Sequence, residues 1–101
     1  MRIILSVLAV ASLLASCSDD GNWRVDLPLA STRGGAACVH DDRIAITVTD
    51  PSGNPQVNLP GWSCTCLADG SVGCASDGGK LLITPDSVEL AVDGCVFKFH
   101  E

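Results

Sequence analysis

The stretch SVELAVDGCVFKFH, residues 87–100, decides the fold. Two alternating runs flank Asp93 and Gly94, and an Asp-Gly pair in that setting indicates a β-hairpin with a type I′ turn. The turn fixes the register, and the cross-strand pairs on one face are then apolar: Val92 with Cys95, Leu90 with Phe97, and Val88 with Phe99. On the other face Glu89 meets Lys98, an opposite-charge pair. Because a slip of one residue would lose both features, the stretch predicts one defined antiparallel hairpin.

Other segments downstream of the N-terminal region also show strand signals. Residues 43–49 alternate between apolar and polar side chains, as a half-buried strand does. The segment DPSGNP, 50–55, is dense in turn-forming residues. A short run at 56–59 lies between prolines and suits a sheet edge, and 80–84 adds a strand before the hairpin. Since no helical period follows residue 17, the sequence predicts a small all-β domain: a disulfide-stapled antiparallel sheet or sandwich with two tight hairpins.

The segment CTCLADGSVGC, residues 64–74, predicts the second hairpin. Residues 68–70 fit a three-residue loop with glycine in the left-handed position. That loop places Cys64 opposite Cys74 in a non-hydrogen-bonded pair, where the Cα atoms are about 4.5 Å apart. A disulfide spans about 4.4–6.8 Å between Cα atoms. The turn therefore predicts a Cys64–Cys74 bond.

Cys66 faces the same way as Cys64, so we look for its partner at Cys38 or Cys95. The spacing C-x-C-x(3)-G-x-V-x-C in residues 64–74 resembles cystine-rich modules of the von Willebrand factor type C and pacifastin-inhibitor kind. The resemblance to pacifastin-type modules implies a Cys38–Cys66 bond beside the cross-turn bond. Cys95 would then be a buried free thiol, inert in an apolar setting. The alternative joins Cys38 to Cys95 and leaves Cys66 free; both arrangements remain open at this point.

Three residues are predicted as contacts for a partner: Trp62, Leu67 and Asp69. Trp62 precedes the cysteine hairpin, and tryptophan beside a rigid loop is typical of a binding hot spot. It is equally typical of packing against a disulfide. Leu67 and Asp69 belong to the loop that an inhibitor-like module would present, with residues 67–71 exposed and rigid.

No catalytic residue, cofactor or metal ion is predicted. The sequence has no serine in a nucleophile-elbow motif and no phosphate-binding or dinucleotide-binding fingerprint. A thiolate metal site at Cys64, Cys66 and Cys74, with His40 or His100, is the alternative. However, C-x-C is not the usual zinc spacing, and an exported compartment favours disulfides. We therefore expect a protein that is not an enzyme.

The N-terminal segment predicts where in the cell the protein is located. Residues 1–16 hold Arg2 and a short apolar run, too short to span a bilayer comfortably, which is typical of a signal peptide. The sequence Leu14-Ala15-Ser16 leads directly into Cys17. This resembles the lipobox of bacterial lipoproteins, which implies cleavage after residue 16 and diacylglycerol on the Cys17 sulfur. Cys17 then belongs to the membrane, and an odd set of five cysteines remains for the domain.

The lipobox resemblance sets the first part of the predicted organisation, a signal peptide at 1–16 and a lipidated Cys17. Residues 18–37 are polar, Gly-rich and aperiodic, which predicts a flexible tether with one short strand at Trp23–Leu29, and the alternating pattern after it predicts a β domain at 38–101. We expect the chain in the bacterial cell envelope, held by its acylated cysteine. Ser18 after the cysteine favours the outer over the inner membrane, by resemblance to enteric-type lipoproteins; the periplasmic or surface face stays open. Beyond the bilayer, an envelope protein is the expected partner.

The charge of the mature chain excludes one class of partner. Without residues 1–16 the chain has five Lys and Arg against twelve Asp and Glu, a formal charge of −7. A nucleic-acid-binding protein needs a basic surface to neutralise phosphates. We therefore expect no nucleic acid, and a binding or structural role at the envelope.

Overall fold

A computed structural model describes residues 22–49 and 54–101, and these residues form strands, turns and loops. The strands are β1 (Trp23–Arg33), β2 (Arg43–Thr49), β3 (Gln56–Val57), β4 (Ser63–Cys66), β5 (Val72–Ser76), β6 (Gly79–Thr84), β7 (Ser87–Val92) and β8 (Cys95–His100). The predicted all-β class is confirmed. The predicted signal peptide, Cys17 and most of the predicted turn at 50–55 lie outside the described residues.

The strands form a single antiparallel sheet in the order β3-β2-β1-β8-β7-β6-β5-β4. The two edge strands, β3 and β4, come into contact, so the sheet curls into a nearly closed barrel. Closure of this kind leaves little strand edge exposed to pairing with other chains. The short β3, Gln56–Val57, occupies one edge, as its proline-bracketed sequence predicts.

The C-terminal hairpin has the register that its turn predicts. Asp93 and Gly94 have φ of 50° and 80°, the left-handed pair that a type I′ turn requires. Every predicted cross-strand pair is present: Val92 with Cys95, Leu90 with Phe97, Val88 with Phe99, and Glu89 with Lys98. Residues 80–84 also form a strand as predicted, within β6.

The first strand corrects the predicted domain boundary. Residues 23–33 form the longest strand of the described chain and lie between β2 and β8, so the barrel begins at Trp23 and not at residue 38. The predicted tether is thereby reduced to the residues before β1. Pro28 falls where β1 leaves β2 and joins β8, and a register shift follows at Leu29. That irregularity breaks the alternation along the strand and weakens its signal in the sequence.

The core fills the inside of the barrel. The buried apolar side chains come from the inward-facing positions of six strands: Val25, Leu27, Ile44, Ile46, Val48, Val72, Cys74, Leu81, Ile83, Val88, Leu90, Phe97 and Phe99. The side chains that are 0% exposed form the centre of this packing: Ile46, Val48, Val72, Ile83 and Phe99. No helix within residues 22–49 and 54–101 has the length and hydrophobicity to span a bilayer.

Antiparallel connections assign each turn to one of two ends of the barrel. The N-terminal end holds the start of β1 and the turns at 67–71 and 85–86. The loop end holds the segment 34–42 and the turns at 77–78 and 93–94. A backbone hydrogen bond from Asp93 N–H to the Gly78 carbonyl joins the last two turns at 3.4 Å.

Candidate functional site

The cysteine hairpin, formed by β4 and β5, contains the predicted cross-turn disulfide. Cys64 pairs opposite Cys74, their Cα atoms are 4.0 Å apart, and the two sulfurs are bonded. Gly70 has a φ of 89°, the left-handed conformation predicted for the third loop residue. Leu67 N–H donates to the Ser71 carbonyl and closes the loop at 2.9 Å. Register and bond therefore follow from the loop sequence.

Asp69 is fully exposed, yet its carboxylate is engaged within the loop. Its Oδ1 accepts hydrogen bonds from the Ser71 hydroxyl at 2.6 Å and from the Ser71 backbone N–H at 3.0 Å. These bonds, the hydroxyl first, lower the pKa of Asp69 below its ordinary value of 3.8. The ionised carboxylate thus orders the turn, and only one of its oxygens makes these bonds to Ser71.

We expect the acid side of the stability curve to depend on Asp69. Because the folded-state pKa is lowered, the ionised carboxylate stabilises the fold above the ordinary pKa, and this stabilisation is lost as pH falls through the folded pKa. Urea unfolding of the parent and of Asp69→Asn should be measured from about pH 5 to about pH 2. The free energy of unfolding should decrease less with falling pH in the variant than in the parent. Asp69→Ala should share that smaller decrease and also be less stable at neutral pH. Identical pH profiles for the parent and Asp69→Asn would contradict this role.

The loop is less exposed than an inhibitor-like module requires. Gly70 and Ser71 are buried, and Leu67 is half-buried with its Cδ atoms against Gly73. Only Ala68 and Asp69 project into solvent. The expected exposure of residues 67–71 is therefore wrong for most of the loop.

Leu67 borders an apolar groove on the outer face of β4–β7. Small residues form the floor of the groove. Leu82 on β6, which is 40% exposed, lies at one side of the groove. The lining includes Leu67, Gly73, Ala75, Leu82, Glu89 and Ala91. The absence of large side chains on β5 at Gly73 and Ala75 creates this hollow, which the sequence analysis did not identify.

Trp62 packs against the barrel and is half-buried. Its ring lies so close to Gly79 that a Cβ atom there would approach Cη2 to 2.9 Å. Glycine at the start of β6 therefore makes room for the indole. Of the two roles predicted for Trp62, the packing role is the one that these contacts support; contact with a partner remains a prediction. Trp62 lies in the β3–β4 connection, so the four-residue strand β4 separates it from Leu67 and Asp69, and it borders the same hollow as residues 54–57.

The second disulfide corrects the predicted cysteine pairing. Cys38 is bonded to Cys95 with a Cα separation of 5.6 Å, so the implied Cys38–Cys66 bond and the free thiol at Cys95 are both wrong. The alternative with a free Cys66 is also wrong, because Cys66 is disulfide-bonded. No cysteine among the described residues is free. Gly34 permits the Cys38–Cys95 bond, because a Cβ atom at this position would collide with the Cys38 sulfur. The φ of Gly34, 126°, also suits glycine.

His40 has a packing role that the sequence analysis missed. The segment 34–42 crosses the loop end, and the His40 ring lies over two core aromatics. The ring centroids are 5.3 Å from Phe97 and 5.1 Å from Phe99, in tilted and edge-to-face arrangements that aromatic rings favour. His40 follows Cys38 by two residues, and the Cys38–Cys95 bond fixes this segment to β8, which carries both phenylalanines. Because the sequence left the pairing of Cys38 open, it held no signal for the contact.

The described residues do not form the thiolate metal site that the sequence offered as an alternative. The sulfurs of Cys64 and Cys74 are joined to each other, so they are not thiolates. Within residues 22–49 and 54–101, no group of three or more His, Cys, Asp or Glu side chains could hold a metal ion.

Comparisons with known proteins add no relative. No known protein family matches the chain, and no curated protein or solved structure matches it either. The functional argument therefore rests on the residues themselves.

Proposed function

We propose that this chain is a bacterial lipoprotein that is anchored through Cys17 and holds a disulfide-stapled barrel at the cell envelope. The observation that carries the proposal is the sequence Leu14-Ala15-Ser16-Cys17, separated by five residues from a folded domain that begins at Trp23. The disulfides of the barrel support it, because such bonds persist in oxidising compartments outside the cytoplasm. Ser18 supports the outer membrane as the destination.

The role that we propose for the domain is binding or structural, and not catalytic. The groove between Leu67 and Leu82 and the exposed loop end offer surfaces to an envelope protein. The inhibitor-like alternative is not favoured, because only Ala68 and Asp69 of its five loop residues are exposed. The thiolate metal alternative is not favoured either, because it needs reduced cysteines.

The anchor is tested by Cys17→Ser in cells fed labelled palmitate. The parent should take up the label and fractionate with membranes, because only a thiol at this position accepts the diacylglycerol. The variant should fail to label and stay unprocessed. Ser18→Ala, one residue away, is the matched control and should label like the parent. Cleavage and release of Cys17→Ser like the parent would show that the lipobox interpretation is wrong.

Thiol counting gives the proposal an independent test. A thioether and a disulfide on the Cys17 sulfur exclude each other. Cys38–Cys95 and Cys64–Cys74 use four of the six cysteines, and Cys66 is disulfide-bonded as well. Lipidation of Cys17 therefore requires that the bond of Cys66 in the mature protein be to another chain. Intact mass of the mature, lipidated protein, with thiols blocked before and after reduction, should therefore show no more than two intramolecular disulfides. Six cysteines in three intramolecular disulfides would contradict lipidation.

A further inference from the structure

The apolar groove on the outer face of β4–β7 contains a projection beside a hollow. Leu82 on β6 points away from the core and is 40% exposed. Its cross-strand partner on β5 is Gly73, and the next outward row places Ala75 and Ala91 on the strands to either side of β6. These small residues leave a hollow next to the leucine. Apolar surface of this kind is typical of a site that another molecule covers.

The same groove carries one charge of each sign. Lys80 on β6 and Glu89 on β7 occupy diagonal positions of the sheet, and both side chains are exposed. The one ion pair in the described part of the chain joins Arg43 to Asp26. Glu89 therefore forms none with Lys98, its neighbour on β8. Both groove charges are available to a partner.

We propose that a second copy of this chain docks on the groove and that the two copies form a symmetric dimer. In a two-fold interface the same surface serves both subunits, so it must be complementary to itself. Here Leu82 of each copy fills the hollow of the other, and Lys80 of each copy meets Glu89 of the other. This inference names the partner for the binding role proposed above and rests on that role, but it does not rest on lipidation of Cys17.

The net negative charge of the chain does not exclude this contact. The described residues that line the groove carry one positive and one negative charge, so the face itself is neutral. Charges elsewhere on the barrel are screened at physiological salt, where the Debye length is about 8 Å. The groove covers only part of four strands, and small interfaces bind weakly. The dimer should therefore be most populated at high protein concentration.

A mixture of two single variants tests the predicted contact. Lys80→Glu has acidic side chains at both groove positions, and Glu89→Lys has two lysines there. Each variant should repel its own copies, whereas a copy of one complements a copy of the other. The full-length variants are purified, one of them labelled with heavy isotopes, and mixed at about 1 mM, where even a weak dimer is populated. A carbodiimide then joins lysine amines to carboxylates that touch them.

The expected product is an amide bond between the groove positions of a heavy and a light copy. Mass spectrometry of the reduced and digested sample should find positions 80 and 89 joined across the two isotopes. A link within one chain cannot join these positions, because each variant carries a single sign of charge there. In the parent, mixed as heavy and light protein, the same link should form between copies.

Leu82→Ser tests the projection and leaves both reactive groups in place. Added to the two charge variants, it should lower the yield of the heavy–light link several-fold. Val39→Ser is the matched control, because Val39 is the other large apolar residue exposed in the described part of the chain and does not line the groove. It should leave the yield unchanged.

The outcomes separate this inference from the anchor. Absence of a heavy–light link between positions 80 and 89, or a yield that Leu82→Ser and Val39→Ser lower equally, would overturn the dimer. In intact cells treated with the carbodiimide, a link from either position to a different protein, with none between copies, would overturn the second copy as the partner. Palmitate labelling of Cys17 is measured separately, so loss of the dimer leaves the anchor as proposed, and loss of the anchor leaves the dimer test valid.

Discussion

Replacement of both Cys38 and Cys95 by alanine should cost about 4 kcal/mol of unfolding free energy. The bond closes a loop of 57 residues, and the chain-entropy account of disulfides gives about 4 kcal/mol for that length. Small domains have only about 5–15 kcal/mol of stability in total. The double variant should therefore unfold at a much lower urea concentration than the parent.

The Cys64–Cys74 bond provides the matched comparison. It closes a loop of ten residues, for which the same account gives about 3 kcal/mol. Both ends also belong to one hairpin that its own turn already favours. Urea unfolding of the two double variants, followed by tryptophan fluorescence without reductant, should place Cys38→Ala/Cys95→Ala below Cys64→Ala/Cys74→Ala in stability. The reverse order would show that loop closure is not the dominant contribution of the longer bond.

A second effect adds to the cost of losing Cys38–Cys95. The bond holds the segment 34–42 across the loop end, where the His40 ring covers Phe97 and Phe99. A freed segment would let water reach these rings. His40→Ala separates the two effects, because it removes the ring contact and keeps the bond. We expect it to cost less than the double variant.

The contrast between the two disulfides shows how far this sequence predicts its fold. The Cys64–Cys74 pair and the register of β7 with β8 follow from turn residues beside them, because a turn type fixes which residues face each other. The Cys38–Cys95 bond joins segments 57 residues apart. Nothing local in either segment specifies the other, and the resemblance to pacifastin-type modules pointed to a different partner.

The same difference between local and long-range signals explains why the sequence did not predict the full extent of β1 or the candidate site. β1 pairs with β2 through residues 23–28 and then with β8, and Pro28 interrupts its alternation at the change. A strand that serves two neighbours in turn lacks the uniform pattern that identifies residues 43–49. Leu67 and Trp62 were selected by residue type and by their place beside the disulfide hairpin. They flank the four-residue strand β4, so their separation is local. Only the folded barrel shows that Trp62 packs against Gly79 and Leu67 against Gly73.

Phe99→Ala should be the most damaging single substitution in the C-terminal hairpin, at about 3–5 kcal/mol. Phe99 is 0% exposed, pairs with Val88 on β7 and Leu29 on β1, and contacts the His40 ring edge-to-face. Truncation removes this apolar burial and leaves a cavity that antiparallel neighbours on both sides cannot close. Urea unfolding at neutral pH measures the loss.

His100→Ala is the matched control, because the His100 side chain, next to Phe99 in sequence, points out of the barrel and is exposed. A surface substitution of this kind changes stability by about 0.5 kcal/mol or less. The difference between the two variants tests the register that the Asp93-Gly94 turn imposes. If the strand were shifted by one residue, the inward position would pass to His100, and His100→Ala would become the costly change. Near-equal losses of unfolding free energy in the two variants would mean that Phe99 does not pack in the core as the register requires.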